Sequence, residues 1–187
     1  MVRFTPMPQP FTLIPHPALP TTALDGIAGH IERTPSALML RFSLMGDVNR
    51  IRVPPRRPPG FADNLWHHTC CEAFLRREGQ AAYHEFNFAP SGEWATYAFA
   101  RTRERLPLDP PTTAALDPHV TVCRSENQLE LDAVIQLDRL SLASGKIMLG
   151  LAAVVEDIGG TLSYWALRHP LDKPDFHHPD AFALTLE

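Results

Sequence analysis

Gln128-Leu-Glu-Leu-Asp-Ala-Val-Ile-Gln-Leu137 alternates over its whole length. Leu129, Leu131, Ala133, Ile135 and Leu137 fall on one side; Gln128, Glu130, Asp132, Val134 and Gln136 fall on the other. Successive side chains of a strand point to opposite faces, so this is the pattern of a half-buried strand. Upstream, Ser125-Glu-Asn127 separates it from the short run 120–124, and the two read as a hairpin. Residues 37–45 repeat the pattern, with Leu38, Leu40, Phe42 and Leu44 opposite Met39, Arg41, Ser43 and Met45. Residues 147–155 are apolar on both faces and suit a central strand. Gly159-Gly160 turns the chain into 161–168, and a last strand is predicted over 181–186. The helix signal is confined to one or two turns across 138–144.

Proline separates these runs. The chain has 19 prolines in 187 residues, and a residue without an N–H cannot donate to a strand ladder. Residues 6–20 are therefore predicted to be extended and irregular, within an N-terminal extension over 1–20. Residues 54–59 and 106–118 read as loops. There is no repeat and no change of composition, so 1–187 is taken as one domain, and 44% apolar content is enough for a sizeable core. Many short strands divided by turns predict an all-β antiparallel sandwich with little helix.

Charge and targeting signals narrow the classes. The net charge is −4. The basic residues Arg50, Arg52, Arg56 and Arg57 are interleaved with and followed by prolines, the composition of a solvated loop, so no nucleic-acid partner is expected. The longest apolar run, 147–155, is half the length needed to cross a bilayer, and no membrane partner is expected. The N-terminus lacks the apolar run of a signal peptide, which predicts a cytoplasmic, reducing location. Three cysteines make no disulfide framework. Cys70 and Cys71, as strand neighbours, would point apart, so all three thiols are expected to be free. The oligomeric state is left open.

Residues 65–99 hold the unusual chemistry. Leu65-Trp-His-His-Thr-Cys-Cys-Glu-Ala-Phe-Leu75 is followed by Tyr83-His-Glu-Phe-Asn-Phe-Ala-Pro-Ser-Gly-Glu-Trp94. Strands are predicted over 69–75, 83–88 and 93–100. Cys70, Glu72 and Phe74 share a face in the first. If Phe86 and Phe88 take the core in the second, Tyr83, Glu85 and Asn87 lie opposite. In the third, Trp94, Thr96 and Ala98 alternate with Ala95, Tyr97 and Phe99. Glu72, Glu85, Asn87 and an aromatic could thus share one sheet face. Aromatic rings stack on the apolar side of a sugar, and carboxylates and amides bind its hydroxyls. A plain solvated exterior is the competing reading of the same residues.

These two quoted stretches resemble the DOMON-like superfamily and are similar to its members related to family-9-type carbohydrate-binding modules. The shared pattern is a tryptophan, a few residues, an acidic residue opening an apolar strand, then a Glu-Phe-Asn strand and a small-residue turn. Cys71 before Glu72 departs from it. The resemblance implies a sandwich of roughly ten strands whose concave side binds a sugar or a haem. It places Trp66, Glu72, Glu85, Asn87 and Trp94 in the site, the tryptophans as walls. Arg41 is the candidate donor to the carboxylates.

The expected function is therefore non-catalytic binding of a sugar or similar hydroxyl-rich small molecule, with no cofactor. Haem is the alternative ligand, with Met39 or Met45 and His169 as candidate axial groups, although no Cys-x-x-Cys-His is present. A glycoside-processing enzyme would use Glu72 and Glu85 as acid and nucleophile; the Gly-x-Ser-x-Gly, phosphate-loop and His-Glu-x-x-His patterns are absent. His67-His68 with Cys70 and Cys71, or His177-His178, offer metal ligands without a second spaced pair, and are read as structural. The aromatic and charged run 164–179 is expected to rim the pocket.

Overall fold

A computed structural model describes residues 8–19, 21 and 23–187. Its strands are β1 (Gln9–Pro15), β2 (Gly26–Arg33), β3 (Ala37–Met45), β4 (Cys70–Arg77), β5 (Tyr83–Phe88) and β6 (Trp94–Arg101). There follow β7 (Glu104–Leu106), β8 (His119–Arg124), β9 (Gln128–Gln136), β10 (Ile147–Glu156), β11 (Leu162–Ala166) and β12 (Leu184–Leu186). They join in one antiparallel ladder, β7-β6-β5-β4-β10-β11-β1-β2-β3-β9-β8, with β12 beside β10.

The ladder folds over at β1. Its residues 9–13 pair with β2, whereas Ile14 and Pro15 pair with Ala166 and Trp165 of β11. The chain beyond β1 on either side forms two sheets that share a core. Leu40 and Phe42 of β3 and Leu131 of β9 belong to the same buried cluster as Leu75 of β4, Phe86 of β5 and Leu151 of β10. The fold is an all-β antiparallel sandwich, as the alternation predicts. Residues 37–45 and 83–88 are strands at those bounds, and β9 and β10 match their predicted spans within a residue. The turn expected in 138–144 is a 3-10 turn, Asp138–Leu140. The three cysteines are free, Cys70 and Cys71 buried and Cys123 exposed.

Two segments correct the sequence reading. The irregular extension over 1–20 contains the strand that joins the sheets; of that span, residues 1–7 and 20 lie outside those described. Phe11 and Leu13 are buried there while Pro10, Thr12 and Ile14 are exposed. Pro10 is tolerated because this part of β1 pairs only with β2, so the missing N–H falls on the open edge. Within the predicted loop 106–118, Pro110–Ala115 forms a short helix, α1. Asp109 caps it, accepting from the Thr112 N–H at 2.7 Å, and prolines occupy the first turn, where no N–H partner is needed.

Candidate functional site

The outer face of the second sheet carries the residues singled out above. Directly opposed residues of neighbouring strands share a face, and Glu72 of β4 stands opposite Asn87 of β5 on one side and Ala152 of β10 on the other. Asn87 in turn opposes Ala95 of β6. One step along the strands, Glu85 lies between Phe74 of β4 and Tyr97 of β6. Glu72, Glu85 and Asn87 therefore sit together, pointing away from the core between the sheets.

This face is not solvated. Glu72, Glu85 and Asn87 are all at most 5% exposed. Two segments cover them. Leu65, in the 3-10 turn Leu65–His67 that lies against β4 and β5, packs into a second apolar cluster with Phe74, Tyr97 and Phe99. Phe176 and Phe182, from the chain between β11 and β12, complete that cluster. At Gly150 of β10 the cover lies so close that a Cβ would stand 3.2 Å from the Ala181 carbonyl oxygen.

The polar groups beneath are short of donors. The Asn87 Nδ2 donates to Glu85 Oε1 at 2.9 Å, and the Asn87 Oδ1 is buried without a partner among the described residues. Burial and the nearby Glu85 charge hold the Glu72 carboxyl well above its usual range. Burial raises Glu85 to about 7, against the opposing influence of the Asn87 bond and, at longer range, of Arg105 and Arg103. His177, from the covering segment, brings its Nε2 to 3.6 Å from Glu85 Oε2 and its Nδ1 to 2.8 Å from the Tyr83 hydroxyl. That hydroxyl also accepts from the Arg103 N–H at 3.1 Å, so Tyr83 ties the covering segment, through His177, to the chain after β6. Burial first, then Arg103, lowers His177 to about 4 and keeps it neutral.

Trp66 stands at the margin, 45% exposed, its ring against His67 at 3.8 Å between centroids. Its loop is pinned by Glu156 at the end of β10, which binds Arg52 Nη1 at 2.8 Å and His68 Nδ1 at 2.7 Å.

Two residues expected here lie elsewhere. Trp94 opposes Phe88 and so turns into the core between the sheets, 3% exposed. Tyr97 and Phe99 are the aromatics that β6 gives this face; the Tyr97 hydroxyl donates to Asp63, and Arg105 lies 4.0 Å above its ring. Arg41 is on the outside of the other sheet, in a bidentate pair with Asp132 at 2.7 and 2.8 Å. It cannot be the donor for Glu72 or Glu85. Tyr97 and His177 are the residues the sequence reading did not assign; both lay within stretches it had marked. Of the haem candidates, Met39 lines a cavity beside Arg41 and Asp132, and His169 spends its Nε2 on the Ile14 carbonyl at 2.9 Å.

No protein-family model matches the chain, and no curated protein does. Solved structures do. A crystal structure of a "putative carbohydrate-binding protein" from Bacteroides uniformis superposes with a TM-score of 0.69 at 16% identity, covering 95% of this chain and 85% of that one. A family-9 carbohydrate-binding module from Caldicellulosiruptor kristjanssonii in complex with cellotriose superposes at 0.56 and 9% identity, covering 87% and 71%. The same organism's module with glucose gives 0.57 and 9%, covering 87% and 73%. The fold is that of the family-9 carbohydrate-binding modules.

Proposed function

From that fold as premise, we propose that the chain binds a carbohydrate, or a ligand with the same dense hydroxyls, on the outer face of the second sheet, without transforming it. One observation supports this reading most directly: Glu72, Glu85 and Asn87 form a buried, acceptor-rich row in which the Asn87 Oδ1 has no donor among the described residues. A buried acceptor left unpaired is costly, and sugar hydroxyls are uncharged donors. Trp66, exposed in the turn that lies against β4 and β5, offers a ring on which a sugar face can stack. The structural neighbours in complex with cellotriose and glucose are consistent with it.

Calorimetric or NMR titration with glucose, cellotriose and a panel of mono- and disaccharides tests this. Trp66→Ala and Glu72→Gln are each expected to weaken binding at least about tenfold, a loss of ~1.4 kcal/mol, with the melting temperature little changed for Trp66→Ala. Arg41→Ala, on the far sheet, is expected to leave binding unaltered. Binding that survives Trp66→Ala and Glu72→Gln would move the site elsewhere. Hydrolysis of an activated aryl glycoside, lost in Glu85→Gln, would show that the carboxyls act chemically.

A further inference from the structure

The chain between β11 and β12 leaves the second sheet at Leu167, whose N–H donates to the Leu151 carbonyl at 3.0 Å, and rejoins it at Leu184, which pairs with Leu149. Over 168–183, the backbone-to-backbone hydrogen bonds among the described residues are internal to the segment: His178 to Asp175, Ala181 to His178, Phe182 to Pro179 and Ala183 to Ala181. Side chains fasten it down. His169 donates to the Ile14 carbonyl at 2.9 Å, and Asp175 accepts from Arg103 Nη2 at 2.7 Å. The Tyr83 hydroxyl holds His177 Nδ1 at 2.8 Å, and Arg76, over the Phe182 ring, donates to the Pro179 carbonyl at 3.4 Å. A segment anchored by backbone at its ends and by side chains between them can open as a unit without breaking a strand ladder.

Beneath it lies a pair of acids, Glu72 and Glu85, 3% and 5% exposed. Every element around Glu85 brings a titratable or charged group. From β4 come Glu72 and Cys70, and from its own strand Tyr83. From β6 comes Tyr97, bonded to Asp63 of the preceding loop. The covering segment brings His177 and, paired with Arg103, Asp175. Arg103 and Arg105 reach Glu85 at longer range, the first held by Asp175 and the second over the Tyr97 ring. A sealed carboxylate is costly, and His177, 3.6 Å from Glu85, is itself kept neutral by burial. Closure therefore favours the neutral acids. Opening returns Glu85 from about 7 toward 4.5, His177 from about 4 toward 6.5, and Glu72 from well above 4.5 toward that value. Between pH 4.5 and 6.5, the proton that Glu85 loses is matched by one that His177 gains. The proton that Glu72 loses is unmatched, so opening is favoured as pH rises, by about tenfold per unit.

We propose that residues 168–183 are a lid over the outer face of the second sheet, shut with a proton held beneath it and open on that proton's release. As the gate to a ligand site the lid rests on the carbohydrate reading, because a sugar meets Glu72, Glu85 and Asn87 only when their cover moves. Its proton linkage stands without that reading.

The test is hydrogen exchange on the full chain at about pH 5.5 and about pH 7.5, each amide's rate divided by its intrinsic rate at that pH. Protection over 168–183 is expected to fall at least about tenfold at the higher pH, while the amides of β3 and β9 keep theirs. Glu72→Gln is expected to remove most of that fall. Unchanged protection over 168–183, or an equal fall in both sheets, would overturn the lid. If Glu72→Gln fails to fold, the wild-type comparison of segment with sheets still decides it. Stopped-flow mixing with cellotriose separates the lid from the carbohydrate reading. Association that accelerates with pH alongside exchange supports both. Exchange that depends on pH, with no saccharide of the panel bound at either pH, supports the lid and overturns the reading. Cellotriose that binds at one rate at both pH values, with protection over 168–183 unmoved, overturns the lid and leaves the reading intact.

Discussion

Phe88 and Trp94 face each other because the hairpin between β5 and β6 closes with the Ala89 N–H on the Glu93 carbonyl at 2.9 Å. That single register fixes which aromatic each face receives. The alternation of β6 was legible in the sequence, and so were the faces of β4 and β5, because phenylalanines at 86 and 88 can only be core. The parity of β6 relative to them was not, since it depends on how many residues the Pro90-Ser91-Gly92 turn consumes. Arg41 was misplaced for a related reason: its face within β3 was right, but nothing local says which sheet that face belongs to. Glu85 offers a test at this scale. Its folded pKa of about 7 lies above the ordinary 4.5, so between those values the unfolded chain has lost the proton and the folded one retains it. Stability is then lost as pH rises through that window, and the loss is complete above about 7. Glu85→Gln mimics the neutral acid, and its amide oxygen can still accept from Asn87. Urea melts should show the variant gaining on the wild type between pH 5 and pH 8, by an amount on the order of 2–3 kcal/mol from the linkage relation. A difference independent of pH would mean that Glu85 titrates normally.

At the scale of elements, β1, β2 and the three-residue β7 are the strands that were not anticipated, and β1 and β2 each hide behind a residue that breaks the pattern. In β1 the breakers are Pro10 and Pro15, which an edge position and a strand end accommodate. In β2 it is glycine. Ile27, Gly29 and Ile31 point inward, so the apolar alternation has a gap at its centre. The gap is occupied by another element: a Cβ on Gly29 would lie 2.6 Å from Cζ of Phe11 and 1.8 Å from the Arg41 carbonyl oxygen. Phe11 in turn packs edge-on against Phe42 at 5.4 Å between centroids. The absent side chain is thus where the joining strand crosses onto the first sheet, a long-range fact that no window of sequence contains. Gly29→Ala should cost at least the ~1–3 kcal/mol of ordinary overpacking, read as a drop in melting temperature. Adding Phe11→Ala should not restore it, because the clash with the Arg41 backbone remains. Recovery in the double variant would show that the ring alone sets the limit.

The whole molecule has a third layer that the sandwich pattern does not announce. Outside the second sheet, the chain between β11 and β12 lies across β4, β5 and β10, so that sheet is buried on both sides. Residues 164–179 were legible as a rim or a loop over a sheet edge, but the layer over the whole sheet face, which runs on to Phe182, was not, because its anchors are single aromatics without a period. Phe182 is the main one. It is 3% exposed, meets Tyr83 at 5.5 Å and Phe74 at 6.3 Å between centroids, and carries Arg76 4.5 Å above its ring. Those contacts are all between the cover and the sheet, none between the two sheets. Phe182→Ala should therefore loosen the cover before it loosens the sandwich. Hydrogen exchange is expected to accelerate across residues 170–183 while the amides of β3, β9 and the inner pairs of β10 keep their protection. A buried phenylalanine cut to alanine usually costs ~3–5 kcal/mol, and local opening can absorb much of that before the global transition feels it. If the carbohydrate reading is correct, sugars should also reach Glu72 and Asn87 faster in this variant, with a higher association rate at unchanged fold. Exchange that accelerates equally in both sheets would show instead that the cover and the sandwich unfold as one unit.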